Sequence, residues 1–121
     1  VDAWVEVGDF SAESGARATE RLLERHPDLD GVIAGSDNMA AGALRTLRAH
    51  GRSVPDDVAV VGFDDLPVAR QTEPPLTTVR QPIRRFGAEL AASLVQVIEG
   101  RAVEPVLLPT TLVVRESAPL P

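Results

Sequence analysis

The run Val58-Ala-Val-Val-Gly-Phe-Asp-Asp65 sets how this chain folds. Five of its first six residues are apolar, and two carboxylates follow without a polar spacer. A run this short and this rich in valine fits a strand buried on both faces, as in a parallel sheet flanked by helices. In open α/β folds ligands sit outside the carboxyl ends of the strands, which is where Asp64 and Asp65 fall. The plainer reading has one aspartate capping the short helix that follows and the other solvated.

Just upstream, Val54-Pro-Asp-Asp57 is a turn into this strand, and residues 32–34 are expected as a second, short buried strand after the Asp30-Gly31 turn. Between them, Gly35-Ser-Asp-Asn38 opens a helix with Ala40, Ala43, Leu44 and Leu47 on its inner face, and Gly51 is placed to stop it. Further upstream, Ala12, Gly15, Ala16, Thr19, Leu22 and Leu23 lie on one face of an earlier helix, which His26-Pro27 ends. Trp4-Val-Glu-Val-Gly8 reads as a strand. Downstream, Pro67 suits the first turn of a short helix, and the proline pair makes 73–79 an edge strand or a stiff connection. The longest helix starts at Pro82, carries the stripe Ile83, Phe86, Leu90, Leu94 and Ile98, and closes at Gly100. Residues 107–115 are expected as a last strand and 116–121 as a proline-marked tail. Alternating strands and helices mean an α/β fold with a parallel sheet and helices on its faces.

Composition narrows the chemistry. At 121 residues and 44% apolar content the chain can bury one real core. Its net charge of −6, without a basic face, makes it a poor ligand for nucleic acid by itself. Without cysteine there is no disulfide, thiolate metal site or thiol nucleophile. All twelve basic residues are arginine, which excludes a Schiff-base lysine and a lysine-bearing phosphate loop. No membrane span is visible. His26 and His50 both fall near helix C-termini, where a partial positive charge is favourable, so neither is read as catalytic.

Three strand ends carry polar or aromatic residues: Asp9-Phe10-Ser11, Ser36-Asp37-Asn38 and Asp64-Asp65, with Gln81 ending a fourth extended run. Parallel strands bring such ends to one sheet edge. An aromatic face with carboxylates and amides suits a polyhydroxylated ligand, whose C–H faces stack and whose hydroxyls donate to carboxylates. Each residue also has a structural alternative. Phe10 can be a core residue, Ser36 and Asp37 are good helix caps, and Gln81 can cap the long helix.

Several ordered motifs resemble the C-terminal lobe of LacI/GalR-family transcriptional regulators. They are Gly8-Asp-Phe-Ser-Ala-Glu-Ser-Gly15, Asp30-Gly-Val-Ile-Ala-Gly-Ser-Asp-Asn-Met-Ala-Ala-Gly-Ala-Leu-Arg45, Val54-Pro-Asp-Asp-Val-Ala-Val-Val-Gly-Phe-Asp-Asp65, Pro74-Pro-Leu-Thr-Thr-Val-Arg-Gln-Pro82 and Leu108-Pro-Thr-Thr-Leu-Val-Val-Arg-Glu-Ser117. The resemblance implies a truncated Rossmann-like lobe of a type I periplasmic-binding-protein-like fold. Residues 1–80 would form the incomplete lobe, and residues 81–121 a crossover helix and strand directed to a lobe that is not in the chain. It implies a cytoplasmic, non-enzymatic sensor of a sugar-like effector, working as a homodimer without cofactor or metal. DNA would be reached only through a helix-turn-helix domain outside the chain. By the same resemblance Phe10 stacks on the effector, Asp64 bonds its hydroxyls, and Ser36, Asp37 and Gln81 line the cleft. Family members often carry Asn where this chain has Ser36. The helix from Asp37 and the loop 67–72 resemble the parts that pair subunits. A periplasmic sugar-binding protein of a transporter shares this architecture and is the rival reading. An enzyme using Asp64 and Asp65 is a third, disfavoured because adjacent strand residues point to opposite faces.

Overall fold

The computed structural model describes residues 4–120. The elements in order are α1 (Ala12–Arg25), β1 (Gly31–Ile33), α2 (Asp37–Ala49), β2 (Ala59–Asp64), a 3-10 turn (Pro67–Arg70), β3 (Thr77–Arg80), α3 (Ile83–Ile98) and β4 (Thr111–Val113). The sheet has the order β1-β2-β3-β4, and β1, β2 and β3 run parallel. The chain is therefore an α/β protein with a four-stranded sheet flanked by helices, as its alternating pattern requires. The long valine-rich run is an interior strand: Val60 faces Val32 on one side, and Val61 faces Thr77 on the other.

Two units divide the chain. One extends to Arg80 and resumes at Leu112; the other is Gln81–Thr111. The core of the first joins Leu23 and Leu29, Ala40, Leu44 and Leu47 of α2, Val58 and Val60, and Leu76. Along β2 the burial alternates. Val58, Val60 and Gly62 are buried, whereas Ala59, Val61 and Phe63 are only half-buried, so the strand is not enclosed equally on both faces.

Helices α1 and α2 approach with no room to spare. A Cβ on Gly42 would stand 1.9 Å from the Ala12 carbonyl oxygen, and one on Gly15 would stand 2.1 Å from that of Met39. The small residues of α2 therefore serve a contact inside the unit at Gly42, where the sequence suggested a contact between subunits. In the second unit α3 presents Ile83, Phe86, Leu90, Leu94 and Ile98 as an exposed apolar stripe, and Gly100 ends it at φ +71°.

Four expectations need correction. Residues 4–8 form no strand among the described residues, because no neighbouring strand offers them a ladder. They are held by side chains instead: the Trp4 ring stacks on His26 at 3.6 Å, and Glu6 pairs with Arg21 and Arg25 of α1. The prolines at 74 and 75 lie outside β3, which is an interior strand and not an edge. The last strand shrinks to Thr111–Val113, since Pro109 has no N–H to give a ladder. Finally, 116–121 is not merely a tail. Ser117 is fully buried between β2 and β3, accepting from Thr77 N–H at 2.8 Å and donating to the Val60 carbonyl at 2.6 Å.

Candidate functional site

At the carboxyl edge of the sheet two segments carry their exposed side chains on an unusual backbone. Among the described residues, Phe10, Asp64 and Asp65 are the non-glycine residues with positive φ, at 67°, 107° and 56°. Such conformations cost about 1–3 kcal/mol each and persist only where the surroundings enforce them. Here the enforcement can be traced.

Phe10 sits between Asp9 and Ser11. The Asp9 carboxylate accepts from the Ser11 backbone N–H at 3.0 Å and from the Ser11 hydroxyl, while the Asp9 N–H donates to Ser14 Oγ at 3.1 Å. Ser11 in turn caps α1 through the Ser14 N–H. These bonds, led by the Ser11 hydroxyl, bring the Asp9 pKa down to about 2. An Asx turn thus holds the ring of Phe10 outward, 67% exposed, with its edge near Gly35.

Asp64 ends β2 and is half-buried. Asp65, beside it, is a different kind of residue. Its side chain is only 3% exposed, and each oxygen takes one guanidinium: Arg115 Nη2 at 2.6 Å and Arg80 Nε at 2.6 Å. Burial opposes its ionisation, but hydrogen bonds and charge from Arg115 and Arg80 win, so its pKa lies below the ordinary aspartate range.

Ser36 is the N-cap of α2, accepting from the Met39 N–H at 3.2 Å. Asp37, a candidate cap by its sequence position, is instead the first helical residue and is fully buried. Its Oδ1 accepts from the Thr78 hydroxyl at 2.6 Å, and its Oδ2 accepts from the Leu66 N–H at 2.6 Å. Desolvation raises its pKa, the two hydrogen bonds oppose this, and the charges of Asp64 and Asp65 add to the rise. Gly62 is what admits this carboxylate, because a Cβ there would lie 2.3 Å from Asp37 Oδ1.

The structure therefore gathers Phe10, Ser36, Asp37 and Asp64 on neighbouring turns of one unit, with the Asp37 carboxylate tying the start of α2 to the loop after β2. Gln81 belongs to the other unit. Of the four gathered, Phe10 and Asp64 offer surface, while Ser36 and Asp37 are largely enclosed. Sequence reasoning missed Asp9, which holds the turn at Phe10, and Arg80 and Arg115, which hold Asp65 beside Asp64. Only the Asx-Ser spacing around Phe10 could have signalled any of them. Among the described residues no group of three His, Asp or Glu side chains is arranged to hold a metal ion, and no helix is long and apolar enough to cross a membrane.

The family model for the periplasmic binding protein-like domain matches residues 1–118, and the chain belongs to that family. Within it, the relatives are LacI-family regulators. The chain is 54% identical over 115 residues to the HTH-type transcriptional regulator CelR of Thermobifida fusca, covering 93% of this chain and 34% of that protein. It is 41% identical over 111 residues to the ribose operon repressor of Halalkalibacterium halodurans, covering 90% of this chain and 34% of that protein. Among solved structures, a CelR–cellobiose complex superposes with TM-score 0.90 at 52% identity, over 98% of this chain and 37% of that one. The lac repressor dimer bound to operator and the anti-inducer ONPF superposes with TM-score 0.85 at 36% identity, over 93% of this chain and 40% of that one. The chain thus spans about a third of the length of the curated relatives it matches.

Proposed function

We propose that this chain is the effector-sensing part of a LacI-type transcriptional regulator, and that its effector is a sugar of the cello-oligosaccharide class. The observation that carries the reading is the pairing of an exposed aromatic ring, Phe10, with a half-buried carboxylate, Asp64, each on a positive-φ backbone with a hydrogen-bonded carboxylate as its neighbour. A sugar uses such a pair well: a ring face stacks on Phe10, and vicinal hydroxyls donate to Asp64. Ser36 contributes at most its hydroxyl. Asp37 acts from behind, through Leu66 and Thr78. The choice of sugar rests on the likeness to CelR and its cellobiose complex. Effector binding then changes the DNA affinity of a helix-turn-helix elsewhere in the parent protein. The reading is of a binder and not an enzyme: Asp65, the carboxylate next to Asp64, has both oxygens bonded to arginines, and Asp37 is held by Thr78 and Leu66.

Calorimetric titration of the parent protein with cellobiose tests this. Asp64→Ala is expected to lose about 1.5–3 kcal/mol of binding free energy through its charge-assisted bonds. Phe10→Ala is expected to lose about 1 kcal/mol of stacking. Absence of heat with cellobiose and related glucosides would refute the sugar class, and undiminished affinity in Asp64→Ala would refute the site.

A further inference from the structure

We infer that Asp65 is a positioning residue for the ligand edge: a latch that fixes the backbone presenting Asp64 and anchors the two points where the chain leaves and re-enters its first unit. This deepens the proposed sugar site and rests on that reading for its ligand.

The geometry begins at the unit boundary. Arg80 is the last residue before the chain passes to Gln81, and Arg115 lies just after it returns at Leu112. The Asp65 carboxylate takes both, Arg80 on Oδ2 and Arg115 on Oδ1, each at 2.6 Å. The two pairs are unequal in exposure, with Arg80 half-exposed and Arg115 only 14% exposed. Arg115 is also fixed from a second side, since its Nη1 donates to the Leu76 carbonyl at 2.7 Å.

The same loop is pinned along its main chain. The Asp65 N–H donates to Thr78 Oγ1 at 3.4 Å, the Thr78 hydroxyl donates to Asp37 Oδ1, and the Leu66 N–H donates to Asp37 Oδ2. Asp64 is therefore followed by two residues that cannot shift without breaking hydrogen bonds to carboxylates, part-buried between Leu66 and Asp37 and between Asp65 and Arg115. Its own left-handed φ is paired with that of Asp65, and neither is glycine. Backbone strain of this kind persists only where the neighbours over-determine it. In this loop the over-determination comes from the latch, and what it holds still is the carboxylate offered to a ligand.

Within these 121 residues there is no lysine, so trypsin can cut this segment of the parent only after arginine. An arginine whose guanidinium is held by Asp65 cannot enter the protease's specificity pocket. In the parent protein carrying Asp65→Asn, site-resolved tryptic digestion is expected to accelerate at Arg80 and Arg115, with Arg17 and Arg45 unchanged. Cellobiose titration of the same variant is expected to show affinity weakened about tenfold, less than for Asp64→Ala. Arg80→Gln is the milder second variant, removing the half-exposed pair alone; it should accelerate cleavage at Arg115 and weaken binding by a smaller factor. Cleavage rising equally at all arginines would overturn the latch and leave Asp65 a general stability residue. Selective cleavage with wild-type affinity would overturn its role in positioning. If the wild-type parent takes no cellobiose, the sugar reading fails on its own, and the digestion pattern alone decides whether the latch exists.

Discussion

At the scale of single residues, the site shows how two buried carboxylates take opposite characters from their partners. Asp37 is enclosed with a raised pKa, Asp65 is enclosed with a lowered one, and the difference is the company they keep. Asp37 has a hydroxyl and a main-chain N–H, whereas Asp65 has two guanidinium groups. The sign for stability follows. A carboxylate whose folded pKa is lowered contributes stability above its unfolded value of about 3.9 and loses it as the pH falls through the folded pKa. Asp65→Asn is expected to destabilise by about 3 kcal/mol near neutrality, the lower end for breaking a buried pair because Arg80 is half-exposed. The gap between wild type and variant, read from urea unfolding at a series of pH values, should close as the pH drops below about 3.9. A gap that stays constant into acid would show that the ion pairs are not its source. The lowered Asp65 and the strained Asp64 were not legible in the sequence beyond being two carboxylates at a strand end. The arginine partners of Asp65 lie 15 and 50 residues away, and no local pattern tells a paired arginine from a solvated one.

At the scale of elements, periodicity told the helices well and the strands unevenly. Ala40, Ala43, Leu44 and Leu47 all turned inward in α2, and Glu13, Arg17, Glu20, Arg21 and Glu24 all faced out of α1. The helical pattern is local, so a single sequence carries it. A strand is made by its neighbour, which is why residues 4–8 have strand composition but no ladder. Ser117 makes the converse point. It looked like tail, yet its hydroxyl and its main chain join β2 and β3, the Val60 N–H reaching its carbonyl at 2.9 Å. Ser117→Ala would strand the buried Thr77 N–H and is expected to cost about 1–3 kcal/mol in a denaturant titration. Gly42→Ala would push a methyl into the Ala12 carbonyl, and a loss of about 1–3 kcal/mol is expected there too. A neutral Gly42→Ala would mean that α1 and α2 can part, and that the small residues of α2 are available to another subunit after all.

At the scale of the whole molecule, the expectation is that this chain associates with itself and does not bind DNA. Two surfaces argue for association, each within its own unit. On the first, a groove of about 450 Å³ runs between α2 and the 3-10 turn, lined in part by Ala41, Arg45, Val68 and Gln71. This is the region that the family resemblance assigned to subunit pairing, although Gly42 itself is used internally. On the second, the α3 stripe leaves Ile83, Phe86, Leu90, Leu94 and Ile98 each more than half exposed. An apolar row of that length is an association site by default, since burying each such side chain returns about 1.5–3 kcal/mol. The net charge of −6 opposes close approach, but a screening length of about 8 Å at physiological salt confines that repulsion to near contact. The same charge argues against DNA, because binding a phosphate backbone requires cations to displace its counterions and the sequence has no basic cluster beyond Arg84-Arg85. Light scattering at high micromolar concentration should report a dimer. Replacing Leu90 and Leu94 with Gln should distinguish the surfaces: a dimer that survives uses the α2 groove, and one that dissociates uses the α3 stripe. A strict monomer would refute the association, and salt-sensitive binding of duplex DNA would refute the charge argument.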